Sequence, residues 1–128
     1  MMKQLVALLL PLILLAACGG QPDKAGAGHA VEAYLQAKAA ANLDELVKRS
    51  CPAWEAQAHI EATSFQSMNA QLENVSCTVG EADGDFTLVT CTGKITTTYQ
   101  GEAREWPVDN QAYQTLFSDG EWLMCGYK

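Results

Sequence analysis

Five cysteines, two histidines and fifteen acidic side chains carry whatever chemistry this chain can perform. Cys51, Cys77, Cys91 and Cys125 are widely spread, and no pair has the C-x-x-C spacing of a zinc knuckle or a redox dithiol. His29 and His59 are too far apart to form a helix-spaced metal pair. Among motifs there is no P-loop, no Gly-x-Ser-x-Gly elbow and no His-Glu-x-x-His. A general base must reach a substrate proton and hold a tuned pKa. His59 lies off the apolar face that Trp54, Ala58 and Ala62 define. Glu55 and Asp109 fall at a helix end and in a loop, where side chains are solvated, and His29 sits at a linker's end. No catalytic residue, metal or cofactor is therefore assigned.

The fifth cysteine has a different context. Met1-Met2-Lys3 is a short positive start, Leu5 to Leu15 is an apolar run, and small residues follow, which is the pattern of a secretory signal. The run gives way to Gly19-Gly20-Gln21-Pro22-Asp23 well short of the ~20 apolar residues that span a bilayer. Residues 1–17 read as a signal peptide, and Gln21 to Gly28, rich in Gly, Ala and Pro, reads as part of a flexible tether over 18–28.

Leu15-Ala16-Ala17-Cys18 resembles the lipobox of bacterial lipoproteins. The resemblance implies cleavage before Cys18, a thioether-linked diacylglycerol on its sulfur and an added acyl chain such as palmitate on its nitrogen. Several chains together give stable anchoring, where one is marginal. It implies a cell-envelope location, with the membrane as partner through acylated Cys18. Gly19, rather than aspartate, follows the anchor. That places the protein in the outer membrane facing the periplasm where a cell has two membranes, and otherwise on the outer face of the plasma membrane.

Cleavage leaves 128 − 17 = 111 residues, enough for one small domain over 29–128. Only Lys3 is lost from the charges, so 7 basic residues face 15 acidic ones, a net charge of −8. That balance excludes nucleic acid as a partner, since binding it needs clustered Lys and Arg.

Four cysteines in an exported domain of this size predict two disulfides with three possible connectivities. Strand parity narrows them. Val75, Cys77 and Val79 share one face of a strand, and Val89 and Cys91 share a face of the next, so a hairpin near Gly84 sets Cys77 opposite Cys91. A two-residue turn at Asp83-Gly84 would instead oppose Cys77 to Thr90, so the pairing requires an odd-length loop or a bulge. Cys51 then pairs with Cys125 by elimination. In the chain-entropy model the two bridges are worth ~3 and ~4 kcal/mol respectively.

The elements that position these residues follow from periodicity. Val31, Tyr34, Leu35 and Ala39 recur at helical spacing in an alanine-rich first helix. Asn42 with Glu45 three residues on has the pattern of a capping box for a short second helix. Pro52 opens a third, on which Trp54, Ala58, Ala62, Phe65, Met68 and Leu72 predict one long core-facing stripe. After Glu73 the period becomes two, with strands expected at about 74–80, 86–99, 103–117 and 121–127. Pro107 interrupts the third, and Ser118-Asp119-Gly120 makes a tight hairpin to the last.

Helices followed by an antiparallel meander predict an α+β domain, with N-terminal helices packed on a curved four-stranded sheet. The pattern resembles the nuclear transport factor 2-like superfamily, specifically its small bacterial lipoproteins, through an opening helix from Ala30 to Ala41 and a closing Asp119-to-Tyr127 strand. That resemblance implies a cone around the long helix. Tyr34, Trp54, Tyr99, Trp106 and Tyr113 are candidates to line its cavity, the usual composition of a ligand pocket. The expectation is a lipid-anchored, non-catalytic domain that binds a small hydrophobic ligand or an envelope protein. Its alternatives are a small cyclase- or isomerase-type enzyme acting on a hydrophobic envelope metabolite, and a structural assembly factor. A buried carboxylate facing an open mouth would favour the enzyme.

Overall fold

A computed structural model describes residues 23–128; Cys18 and the expected signal peptide at 1–17 lie outside the described residues. Three helices, α1 (Ala25–Ala39), α2 (Leu43–Lys48) and α3 (Glu55–Ser64), precede five strands: β1 (Gln71–Asp83), β2 (Phe86–Tyr99), β3 (Glu102–Pro107), β4 (Ala112–Ser118) and β5 (Glu121–Tyr127). All strand pairs are antiparallel in the order β1-β2-β4-β5, and β3 pairs with β2 off this path. Among the described residues no helix is long and apolar enough to cross a membrane.

The four-stranded cone around a long helix is corrected on two counts. The sheet has five strands, because the expected third strand breaks where Pro107 offers no donor. β3 pairs along Lys94–Tyr99, whereas β4 pairs along Thr87–Thr90 of the same strand. Between them Val108 turns inward, and its carbonyl accepts from the Tyr113 hydroxyl at 3.0 Å. The third helix stops at Ser64 after ten residues. Ser67 and Asn69 take left-handed φ values of 62° and 46°, and the Met68 carbonyl accepts from Thr98 N–H of β2 at 2.8 Å. Met68 and Leu72 kept the helical spacing by coincidence, and Leu72 belongs to β1.

The first helix starts earlier than composition suggests. Ala25 to Gly28, read as tether, form its first turn, with Ala27 and Gly28 buried. Gly26 and Gly28 are there for close approach. A Cβ on Gly28 would stand 3.0 Å from the Cys77 carbonyl, and one on Gly26 would stand 2.6 Å from the Trp122 ring. From the same helix Ala27, Val31, Tyr34, Leu35 and Ala37 enter the core with Leu46, Val89, Ile95, Tyr113 and Met124.

Bulges set the register. The turn is Gly84-Asp85, closed by Asp83 opposite Phe86, and an irregularity between Val79 and Ala82 brings Cys77 opposite Cys91. Their Cα atoms are 4.0 Å apart, at disulfide distance. Cys51 and Cys125 form the second such pair, with Cα atoms 4.9 Å apart. The Cys51 N–H donates to the Met124 carbonyl at 2.8 Å, so the segment after α2 covers the open edge of β5. At the opposite edge Glu32 of α1 accepts the Cys77 N–H at 2.9 Å. Asn42 caps α2, its side chain accepting from Glu45 N–H at 3.2 Å, while the Glu45 carboxylate turns to Arg49 instead of closing the box.

Replacing Gly28 by valine tests whether this turn is packed helix or tether. Overpacking against β1 is expected to cost about 1–3 kcal/mol, read as a lower urea midpoint at unchanged slope. A midpoint equal to wild type would mean that the segment carries no packing.

Candidate functional site

A groove of about 320 Å³ opens between the C-terminal half of α1, the end of α3 and the β3–β4 connection. Leu35, Phe65, Ile95 and Val108 make its apolar floor, Trp106 and Tyr113 its aromatic walls, and Asn110 and Gln111 its amide rim. Phe65 and Trp106 meet edge to face at 5.8 Å between ring centres. Its volume is at the low end for small-molecule sites.

One wall is charged. Glu61 is buried, on the same face of α3 as Ala58 and Ala62. Its Oε2 accepts from the Tyr34 hydroxyl at 2.6 Å, and its Oε1 accepts from the Tyr127 hydroxyl. The Lys38 ammonium lies 3.5 Å from Oε2. Trp54 extends the chain of donors, its indole N–H donating to the Tyr34 oxygen at 2.9 Å. Lys38 also stands 5.5 Å from the centre of the Phe65 ring and 5.9 Å from that of Tyr127, within cation–π range of both. Among the described residues no buried side-chain polar atom lacks a partner.

These contacts explain the phenols. Burial raises the Tyr34 and Tyr127 pKa values far above 10, and the neighbouring Glu61 charge and hydrogen bond raise them further. Tyr113 is pushed up to about 12, mainly by burial, with Glu61 and Asp109 adding and a hydrogen bond from Gln111 opposing. The Lys38 ammonium donates to the Tyr127 oxygen at 3.4 Å, but burial and the Glu61 charge outweigh it, and all three phenols stay protonated near neutral pH.

The five candidate cavity residues separate. Trp106 and Tyr113 line the groove. Tyr34 is fully buried behind it as a donor to Glu61, and Trp54 supports Tyr34 from behind while stacking edge-on with Tyr127 at 5.2 Å. Tyr99 is turned away, half exposed, in a separate cleft with Met68, Arg104 and the outer side of Trp106. His29, His59, Glu55 and Asp109 are all exposed. Among the described residues no group of three or more His, Cys, Asp or Glu could hold a metal ion.

Glu61, Lys38 and Tyr127 were not singled out by their types alone. The signal for Glu61 was present: an acid inside the Ala58, Ala62, Phe65 stripe must either disrupt the core or find donors. Lys38 follows Tyr34 by four residues and so shares its face.

No family model matches the sequence, and no match was found among curated proteins. In three dimensions the chain is similar to the solution structure of a SEC-C motif-containing protein from Rhodopseudomonas palustris. The two superpose at a TM-score of 0.54 and 12% identity, over 84% of this chain and 80% of that one. At that identity the likeness is one of fold.

The raised phenol pKa values give a stability profile with a defined sign. A group whose folded pKa lies above its unfolded value of 10 contributes stability that is complete below pH 10 and is lost as pH rises through the folded value. Stability should therefore fall steadily above pH 10, with the phenolate absorbance of Tyr34, Tyr113 and Tyr127 appearing together with unfolding. Titration of all tyrosines in a protein that stays folded would contradict these placements.

Proposed function

We propose that the chain is a lipid-anchored envelope protein, held through acylated Cys18, whose domain binds a small hydrophobic molecule in the groove without transforming it. The observation that carries the binding reading is the groove itself: an apolar floor and aromatic walls with one buried ion pair at a single side. Lys38 can give an N–H to a ligand acceptor there, while Glu61 balances its charge. The ligand class that fits is an apolar body with one hydrogen-bond acceptor. Disulfides at Cys51–Cys125 and Cys77–Cys91 suit the oxidising compartment that the signal sequence implies.

The enzyme alternative draws on one observation, that Glu61 is a buried carboxylate on the groove wall. Against it, each of its oxygens already accepts from a tyrosine, and Lys38 stands beside it. This is the arrangement of a carboxylate that holds other groups in place. Loss of turnover in Glu61→Gln with ligand binding retained would establish the enzyme instead.

Binding is tested with anilinonaphthalene sulfonate as an apolar probe with an acceptor group. Wild type should bind it. Trp106→Ala should weaken it by about tenfold, the ~1.4 kcal/mol expected for losing an aromatic wall, while Tyr99→Ala should leave it unchanged. Equal binding by all three proteins would exclude the groove as the site.

A further inference from the structure

We propose that the end of the domain bearing Phe117 and Trp122 sits on a phospholipid surface of zwitterionic headgroups. This inference rests on the lipid anchor at Cys18. Because α1 begins at Ala25, the linker is shorter than its composition suggests. Only five peptide steps separate Cys18 from Asp23, about 17 Å at full extension. The domain end at Asp23 is therefore held against the bilayer.

Trp122 belongs to that end by direct contact. Its indole N–H donates to the Asp23 carbonyl at 3.0 Å, and Asp23 in turn accepts the Ala25 N–H through its side chain at 3.0 Å. Phe117 stands opposite Trp122 in the β4–β5 register, edge to face at 5.3 Å, and is 40% exposed. An indole with a polar edge beside an outward phenyl ring is the side-chain pair that membrane interfaces favour.

Next to this pair is a cleft of about 300 Å³, lined by Gly26, His29, Lys48, Arg49, Glu121 and Trp122. Its charges are mixed. Arg49 is paired with Glu45 at 2.8 Å and His29 lies 3.7 Å from Glu32, whereas Lys48 is exposed and has no ion pair among the described residues. Cations beside Glu121 match a headgroup that carries both a phosphate and an ammonium, and give no net attraction to anionic lipid. Seating therefore comes from the aromatic pair and is insensitive to salt. Along α1 the groove residue Lys38 lies about 20 Å from Ala25 at helical rise.

The test uses the full lipidated protein in vesicles of phosphatidylethanolamine and phosphatidylcholine, some brominated near the head end of the acyl chain. Quenching should remove about a third of the tryptophan emission, one indole of the three. Trp122→Phe should abolish it, and Phe117→Trp, at an exposed position, should add a second quenchable indole. Quenching unchanged in Trp122→Phe, absent with Phe117→Trp, or lost at high salt would overturn the seating, provided that mass spectrometry shows acyl chains on Cys18. A Cys18 peptide without acyl chains would overturn the anchor reading, and the seating with it.

Discussion

A single carboxylate organises the interior. Glu61 on α3 accepts from Tyr34 on α1 and from Tyr127 on β5, and it faces Lys38 on α1. Two helices and the last strand thus meet at one buried charge. Burying a carboxylate is costly unless it is paired and hydrogen-bonded, and removing any one donor leaves part of that cost uncompensated. The network is therefore a constraint on geometry more than a source of net stability. It fixes how α3 sits against α1 and the sheet, and so where the groove opens.

The remainder of the domain is arranged so that this centre can exist in a small protein. Glycine and alanine bring α1 close to β1 and β5, and the aromatic rings of Trp54, Phe65, Tyr113 and Tyr127 pack around the polar centre. A core of this size is modest even for a small domain. Two cysteine pairs at its margins, one across the β1–β2 ladder and one joining the α2–α3 connection to β5, limit the unfolded chain where packing alone contributes little. Two sheet edges also take a polar contact from outside the sheet, Glu32 at β1 and the Cys51 N–H at β5, whereas among the described residues the exposed β3 is paired on one side only.

What was legible in the sequence were features that one residue decides locally. Asn42 capped its helix, Asp119-Gly120 made a turn with φ values of 51° and 81°, and strand parity brought Cys77 to Cys91 once a bulge was allowed. What was not legible depended on partners distant in sequence. Gly26 and Gly28 have the composition of a tether, and only the nearness of Trp122 and Cys77 makes them helix-packing residues. Met68 and Leu72 continued a helical stripe by spacing, yet the backbone at Met68 found its partner on β2. Pro107 signalled an interruption, but that the chain becomes two strands follows from Val108 turning inward. Of the five aromatic candidates, two line the groove and Tyr99 lines another cleft, because Tyr99 shares the sheet face of Ile95 and Trp106 but lies four residues further along β2. Glu61 itself was hidden by its type, since an acid on a helix is ordinarily a solvated one.

The claim that one shared carboxylate couples α1, α3 and β5 is tested most directly by a double-mutant cycle on the stability of Tyr34→Phe and Tyr127→Phe. The two hydroxyls serve the same acceptor pair, so the account predicts a coupling energy of about 0.5–3 kcal/mol between them. Strictly additive losses would contradict it, and would mean that the two tyrosines serve the fold independently.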